Sequence, residues 1–562
     1  MKKQIIFSLL ICVLGLHSCS LDMEPETTLT DNGFWKSEKD LRGACNRLYI
    51  DLPGFLSGNG HDMRSDEIVG TTSNDISSGS RSIPEKSSDW SDPYNFIGVC
   101  NNIITKSENA IVSESTKNRW IAEARFFRAY YYFDLVKKYG DVPLILQVFD
   151  DTTNPEIKRG RDPRETVIQQ CYQDLKFAAD WLPSIDELAD EANWGRVSRS
   201  AALAMITRIG LYEGTYIKYH KLTEGDSQAH LKKAIDAAEI IIYNEHLHEL
   251  YPDFQKLFYF EGEGRQNKEN ILVKVYGPNG ASNAIVTHNQ AATKAMNASI
   301  TRQMIDQFLY TDGLSKESPL YRADVRMNDI FENRDPRLAM TVFQYGETAY
   351  KRVGFTPFDN VNYGGRGYPI KKGFLNEEFD TNGKETIDRI ILRYAEVLLS
   401  YAEALYEYNG NISDQKLDET VNHVRQRAGF TARLTNAFVN ANSLNILDEI
   451  RRERTVEFID EYLHYDDIIR WKTAEKVLPK AILGILVNPD ESAKSDKELN
   501  FRFTDENGNY KGEQLYDQAR IYVIEEASTR KFNPERDYLY PIPTYELATS
   551  DGNIKQNPKW NN

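Results

Sequence analysis

Aromatic rings set among amides, carboxylates and guanidinium groups, on stretches without helical periodicity, are the part of this sequence best suited to chemistry. A flat ring stacks on the apolar C–H face of a pyranose, and flanking Asn, Asp and Arg side chains satisfy its hydroxyls. Three irregular stretches carry such sets. The first offers Asp66, Asn74, Arg81 and Trp90; the second Tyr276, Asn279, Asn283 and Asn289; the third Tyr350, Phe358, Tyr363, Arg366 and Tyr368. Trp90 has a competing use, because a helix starting at Tyr94 would let its ring cap the core.

Catalytic patterns are missing. The nine His form no HExxH, no GxSxG surrounds a Ser, and no Walker loop or dinucleotide-type glycine spacing is present. Asp66-Glu67 and Asp466-Asp467 are paired carboxylates of the kind a glycosidase uses, but adjacent residues on one element point apart. The expectation is a binder with no catalytic residue, cofactor or metal site. With 84 acidic against 68 basic side chains the net charge is −16, which repels duplex nucleic acid.

The N-terminus reads as an address. Lys2 and Lys3 precede an apolar run, Ile5 to Leu16, too short to span a bilayer. Leu16-His17-Ser18-Cys19 resembles a bacterial lipobox, so residues 1–18 are expected to be a lipoprotein signal peptide and Cys19 the lipidated residue. Residues 19–33, polar and acidic, then form a flexible tether, and 34–562 a single domain. Cys45, Cys100 and Cys171 sit in contexts compatible with helix faces, as unpaired buried thiols. No later run is apolar enough to cross a membrane, so the body is anchored and not inserted.

These features need a scaffold, and the sequence supplies a helical one. Trp120, Ala124, Phe127, Tyr131 and Leu135 form one apolar stripe over 117–138, stopped by Gly140 and Pro143. The next helix starts at Asp162-Pro163, an N-cap followed by proline at the first helical position. Further helices are expected over 198–214, 230–243, 387–408, 418–428 and 447–458, and Ile271 to Tyr276 reads as a short strand. The fold class is mainly α, tetratricopeptide-like helical pairs with long irregular loops and minor β, although the 34-residue consensus does not recur cleanly.

Several segments, in order along nearly the whole chain, resemble the SusD/RagB family of surface nutrient-binding lipoproteins of Bacteroidetes. They are Glu123-Ala124-Arg125-Phe126-Phe127-Arg128-Ala129-Tyr130 through Tyr139-Gly140-Asp141-Val142-Pro143; Gly195-Arg196-Val197-Ser198; Leu392-Arg393-Tyr394-Ala395-Glu396; Asn422 to Gly429; Glu453-Arg454 leading to Asp467-Ile468-Ile469-Arg470-Trp471; and Tyr540-Pro541-Ile542-Pro543. Glu461-Tyr462-Leu463-His464 departs from the family's usual Glu-Gly-x-Arg, which puts a local turn and a salt bridge in question. The charged members, Arg125, Arg128, Glu396, Glu403, Arg425, Arg427 and Glu453, lie on otherwise apolar helices and are expected to pair across helix interfaces. Gly429 is expected as a helix C′ cap.

The resemblance implies an outer-membrane lipoprotein, facing the cell exterior, that binds oligosaccharide or polysaccharide and delivers it to a SusC-like TonB-dependent transporter docked on its helical face. It also implies a shallow site built from the first two irregular stretches, so the expected ligand-binding residues are Asp66, Asn74, Arg81, Trp90, Tyr276, Asn283 and Asn289. The same scaffold binding peptides or another non-glycan nutrient is the alternative, and a glycoside hydrolase a more distant one.

Overall fold

In the computed structural model the described residues are 33–55, 61–149, 153–188, 190, 193–277, 287–288, 290, 294, 298–322, 327–355, 367–379, 384–487, 501–502 and 520–560. The signal segment, Cys19, and Asn279, Asn283, Asn289, Phe358, Tyr363 and Arg366 lie outside them. Helices dominate: α1 (Glu38–Asn46), α2 (Ser88–Lys106), α3 (Glu114–Tyr139), α4 (Arg164–Trp181), α5 (Arg199–His220), α6 (Ser227–Glu239), α7 (Tyr394–Asn409), α8 (Val421–Arg427), α9 (Ile446–Glu457) and α10 (His464–Arg470). Among the described residues, strands are short and pair antiparallel in three small sheets. β1 (Ile68–Val69) joins β3 (Ser299–Ile300), β2 (Asn270–Lys274) joins β4 (Arg389–Arg393), and β7 (Arg520–Glu525) lies between β5 (Ile482–Val487) and β6 (Phe501–Arg502).

Successive helices pack on one another, α2 on α3, α3 on α4, α4 on α5, α5 on α6 and α6 on α7, which is the helical-pair architecture read from the sequence. The α3 stripe is buried, with Trp120, Ala124, Phe127, Tyr131 and Leu135 all in the main core, which runs from Trp35 to Ile554. Ser113 caps α3 by accepting from the Thr116 amide at 3.1 Å, and Gly140 ends it at φ +75°. The α5–α6 contact depends on small residues one turn apart: a Cβ on Gly210 would sit 2.6 Å from the His230 carbonyl oxygen, and one on Gly214 2.6 Å from Leu231 Cγ. Cys45, Cys100 and Cys171 are buried and unpaired on α1, α2 and α4.

The charged motif residues pair as expected. Arg128 holds Asp174 through two bonds of 2.8 and 2.7 Å, and Arg125 lies 3.8 Å from the same carboxylate. Glu396 receives Arg208, Glu403 receives Arg470 at 2.7 Å through both oxygens, Arg425 meets Glu453 at 2.6 Å, and Arg427 bridges Glu269 and Glu457. Each buried charge therefore keeps a partner, and removal of one member would strand the other.

Helix ends differ from the sequence reading at several places, three of which have a local physical reason. The helix expected over 387–408 begins only at Tyr394, because the β-branched run before it pairs with β2 as β4, Lys274 opposite Arg389. Asp162 does not cap α4; its carboxylate accepts from the Leu144 amide at 2.7 Å and from Arg159, while Asp141 accepts from the Arg164 amide at 2.8 Å. The helix expected over 418–428 is broken at Thr420, whose hydroxyl bonds back to the Lys416 carbonyl. Gly429 does cap α8: at φ +77° it donates to Gln426, and Phe430 donates to Arg425, both to carbonyl oxygens, the Schellman pattern.

Candidate functional site

The scaffold leaves a cavity of about 280 Å³ where the 51–53 segment, the start of α2, the face of α3, β4 and the 461–466 segment meet. Its floor is charged but internally neutralised. Lys138 bonds Asp89 at 2.7 Å and Asp134 at 2.8 Å, Lys137 pairs with Asp466, and Arg208 grips Glu396. At its edge, burial, reinforced by the neighbouring Asp92, pushes the Asp51 carboxyl up to about 6. Tyr130, Phe133 and Tyr462 supply ring surface among these polar groups.

An aromatic cluster adjoins the cavity. Phe55 stacks on Tyr276 with ring centroids 5.8 Å apart, and His288 packs on both, at 4.4 Å from Phe55 and 4.7 Å from Tyr276. The guanidinium of Arg389, itself a cavity residue, lies 5.5 Å from the Phe55 ring and 4.1 Å from the Tyr462 ring, so one cation joins the cluster to the cavity wall. Strand β2 holds this region in place. The Tyr276 amide donates to Asp388 at 2.9 Å, and the Lys274 ammonium donates to the Ile50 and Leu52 carbonyls, fixing the segment that carries Asp51 and Pro53. Burial lowers Lys274 to about 8.

Tyr462 occupies the left-handed region at φ +68°, where a bulky side chain is an outlier and glycine is the ordinary occupant. Asp460, at φ +66°, does the same. Two buried carboxylates hold this turn: Asp62 accepts from the Tyr462 amide at 3.0 Å, and Glu67 accepts from the Asp460 amide at 2.6 Å. Burial and then the Asp460 charge push Asp62 up to about 7, and burial with the Asp62 charge pushes Glu67 well up. The departure from Glu-Gly-x-Arg thus leaves the turn intact, with Tyr in the glycine position. His464 replaces the arginine, meeting Asp66 at 2.9 Å.

The expected ligand residues are not gathered into one place. Trp90 is 4% exposed and packs edge-on against Tyr139 at 4.9 Å, so its ring faces the core. Helix α2 starts at Ser88, earlier than read, which turns Trp90 inward and presents Ser88, Asp89, Asp92 and Pro93 to the cavity instead. Asp66 is buried against His464. Asn74 closes a turn, its Oδ1 accepting from the Ile76 and Ser77 amides. Arg81 lies over the rings of Tyr540, at 4.2 Å, and Trp560, at 5.1 Å, as a clamp on the C-terminal segment. Tyr276, 9% exposed, is the described member that joins the aromatic cluster. Tyr350 and Tyr368, from the third stretch, are core rings. Asp51, Phe55, His288, Arg389 and Tyr462, which form the cavity wall and the aromatic cluster, were not among the expected ligand residues. For Tyr462 the signal was present, in the substitution of a motif glycine.

Ring faces beside fixed acceptors and donors suit a polyhydroxylated ligand. Among the described residues no group of three or more His, Cys, Asp or Glu side chains is arranged to hold a metal ion, and no helix is long and apolar enough to cross a membrane.

Comparison with known proteins bears on the same question. A family model described as the SusD family matches residues 257–560, and one described as starch-binding associating with outer membrane matches residues 61–211. A SusD-like protein of Bacteroides ovatus is 28% identical over 85% of this chain and 83% of its own length. SusD-like protein P2 of Formosa agariphila is 27% identical over 99% of this chain and its whole length. Among solved structures, a SusD-like carbohydrate binding protein from Bacteroides fragilis superposes with a TM-score of 0.70 at 24% identity, covering 93% of this chain and 99% of its own. A laminarin binding SusD-like protein gives 0.61 at 18% identity, with 93% and 100% covered.

Proposed function

The chain belongs to the SusD/RagB family, and from that premise we propose that it is a non-catalytic surface lipoprotein of the outer membrane that captures an oligosaccharide or polysaccharide and passes it to a SusC-like TonB-dependent transporter. Residues 1–18 direct export, Cys19 carries lipid, residues 19–33 act as a tether and residues 34–562 fold as one unit. The observation that carries the glycan reading is the aromatic cluster of Phe55, Tyr276 and His288, tied by Arg389 to the polar cavity that Tyr462 lines. Relatives whose names record carbohydrate and laminarin binding support it. Tyr276, with Asn283 and Asn289 on the segment that follows, supplies direct contacts. Asp66 acts at one remove, through His464 and the 461–466 turn.

Native affinity electrophoresis through gels containing starch, laminarin, xylan or pectin tests the reading. Retardation by at least one polysaccharide, lost in Tyr276→Ala, is the expected result. No retardation by any of them, with a casein peptide digest bound in calorimetry, would replace the glycan with a peptide. New reducing ends formed at catalytic protein concentrations would make it a hydrolase.

A further inference from the structure

A second cleft, of about 250 Å³, lies between the short helix Arg302–Ile305, the 315–316 turn, α9 and β5. Its lining contrasts with the rest of this acidic chain: Arg302, Lys316, Arg452 and Lys480 against one carboxylate, Asp306. The cations differ in how far they are neutralised. Arg302 bonds Asp306 at 2.9 Å, and Arg452 holds Glu449 through Nε and Nη2 at 3.3–3.4 Å and reaches Gln307 at 3.5 Å, all long for charge-assisted hydrogen bonds. Glu317 sits nearby, bonded by the Ser315 hydroxyl at 2.6 Å. Lys316 and Lys480 are exposed and form no salt bridge among the described residues, although the neighbouring Glu317 carboxylate feels the charges of Arg452 and Lys316. In the aromatic cavity, by contrast, Lys137, Lys138 and Arg208 are all committed to acidic partners.

The cleft is held by the fold. The Gln303 amide donates to the Ala481 carbonyl at 2.5 Å and accepts from the Leu483 amide at 3.2 Å, which locks the helix to the edge of β5 and fixes the cations around the opening. Four cations, two of them exposed ammonium groups, outnumber the carboxylates of Asp306, Glu317 and Glu449 around the opening, and the excess makes this a locally positive site on an overall negative protein. Their counterpart is an anion with several oxygen acceptors.

We propose that this cleft is a second binding site, for the sulfate ester or carboxylate groups of an anionic polysaccharide. The polysaccharide part rests on the function proposed above, whereas the anion part rests on the cleft alone. Dextran sulfate, polygalacturonate and uncharged dextran are the probes, each cast in a native gel. Retardation by dextran sulfate identifies sulfate esters as the recognised group, and retardation by polygalacturonate identifies carboxylates. Dextran is expected to leave migration unchanged. The retardation is expected to fall about tenfold in the Lys316→Gln, Lys480→Gln double variant and to vanish near 0.5 M NaCl, as screening of exposed charges requires. Both lysines are exposed, so the double variant is expected to melt with the wild type. Absence of retardation by either anionic polymer, or retardation equal in the double variant, overturns the proposal. Loss of neutral-glycan binding in Tyr276→Ala with the lysine variant unaffected bears on the aromatic cavity and leaves the two readings separable.

Discussion

The Tyr462 amide donates a 3.0 Å hydrogen bond to the buried carboxylate of Asp62, and through it a residue that lines the cavity is held in a backbone conformation its side chain disfavours. A non-glycine residue in that region stores about 1–3 kcal/mol, and such strain concentrates where a side chain must be aimed.

Tyr462→Gly separates the strain from the ring. Truncating a fully buried aromatic ordinarily costs about 3–5 kcal/mol, and the half-buried Tyr462 ring forfeits about half of that. Here relief of the backbone offsets much of the lost packing, so the expected change in unfolding free energy is under about 1 kcal/mol. Binding of whichever neutral polysaccharide retards the wild type is expected to weaken at least about tenfold. Chemical denaturation and affinity electrophoresis measure the two effects, and a loss of stability near the full aromatic value would show that Tyr462 is only a core ring.

Trp90 and Tyr276 are expected to behave oppositely. Trp90→Ala removes a core ring that touches Tyr94 and Tyr139 and is expected to cost about 3–5 kcal/mol of stability, with unchanged affinity in the molecules that remain folded. Tyr276→Ala is expected to cost about 1–3 kcal/mol of binding, the range of aromatic anchors. Differential scanning calorimetry and isothermal titration on the same preparations decide between them; a Trp90→Ala protein that melts normally but fails to bind would reverse the assignment.

His464 and Asp66 predict a pH profile. Burial opposes charge on the imidazole, but the hydrogen bond and charge of Asp66 prevail, and the His464 pKa is raised. Burial likewise opposes charge on Asp66, and the bond from His464 prevails there, so its pKa is lowered. The histidine contribution is fully present below its unfolded value, about 6.5, and is lost as pH rises through the raised folded value. The aspartate contribution is present above about 3.9 and is lost as pH falls through the lowered folded value. The pair is therefore worth most between about pH 4 and 6.5. His464→Gln is expected to remove the decline in stability on the alkaline side of neutrality, read from urea midpoints between pH 5.5 and 8.5. An unchanged profile would mean that the imidazole does not titrate with folding.

Much of the scaffold was legible because helix stripes and turn residues are local signals. The α3 stripe, its stop at Gly140 and the cap at Gly429 follow from residue type and spacing, and that Arg128, Arg425 and Glu403 pair across helices, though not with whom, follows from the cost of an unpaired buried charge. The site was less legible for two physical reasons. A helix start placed at Tyr94 instead of Ser88 left Trp90 and Asp92 without a helical phase, although at 100° per residue they fall on opposite faces. The cluster of Phe55, Tyr276, His288, Arg389 and Tyr462 is assembled by β2–β4 pairing and by a left-handed turn, neither of which leaves a local sequence period. The β4 segment itself was read as helix because its apolar residues run straight into α7.

The ammonium of Lys138, shared between Asp89 and Asp134, makes the floor of the cavity a piece of the α3 scaffold. The rings of Phe55 and Tyr276 stand on segments anchored separately from that floor, whereas the segment of Tyr462 is tied to it through Asp466 and Lys137. Sequence drift can therefore exchange the rings at the rim without disturbing the helical body, while a charge change on the floor must be matched by a compensating change in the neighbouring helix to survive. Related chains should accordingly diverge fastest in the rings and move their floor charges only in pairs.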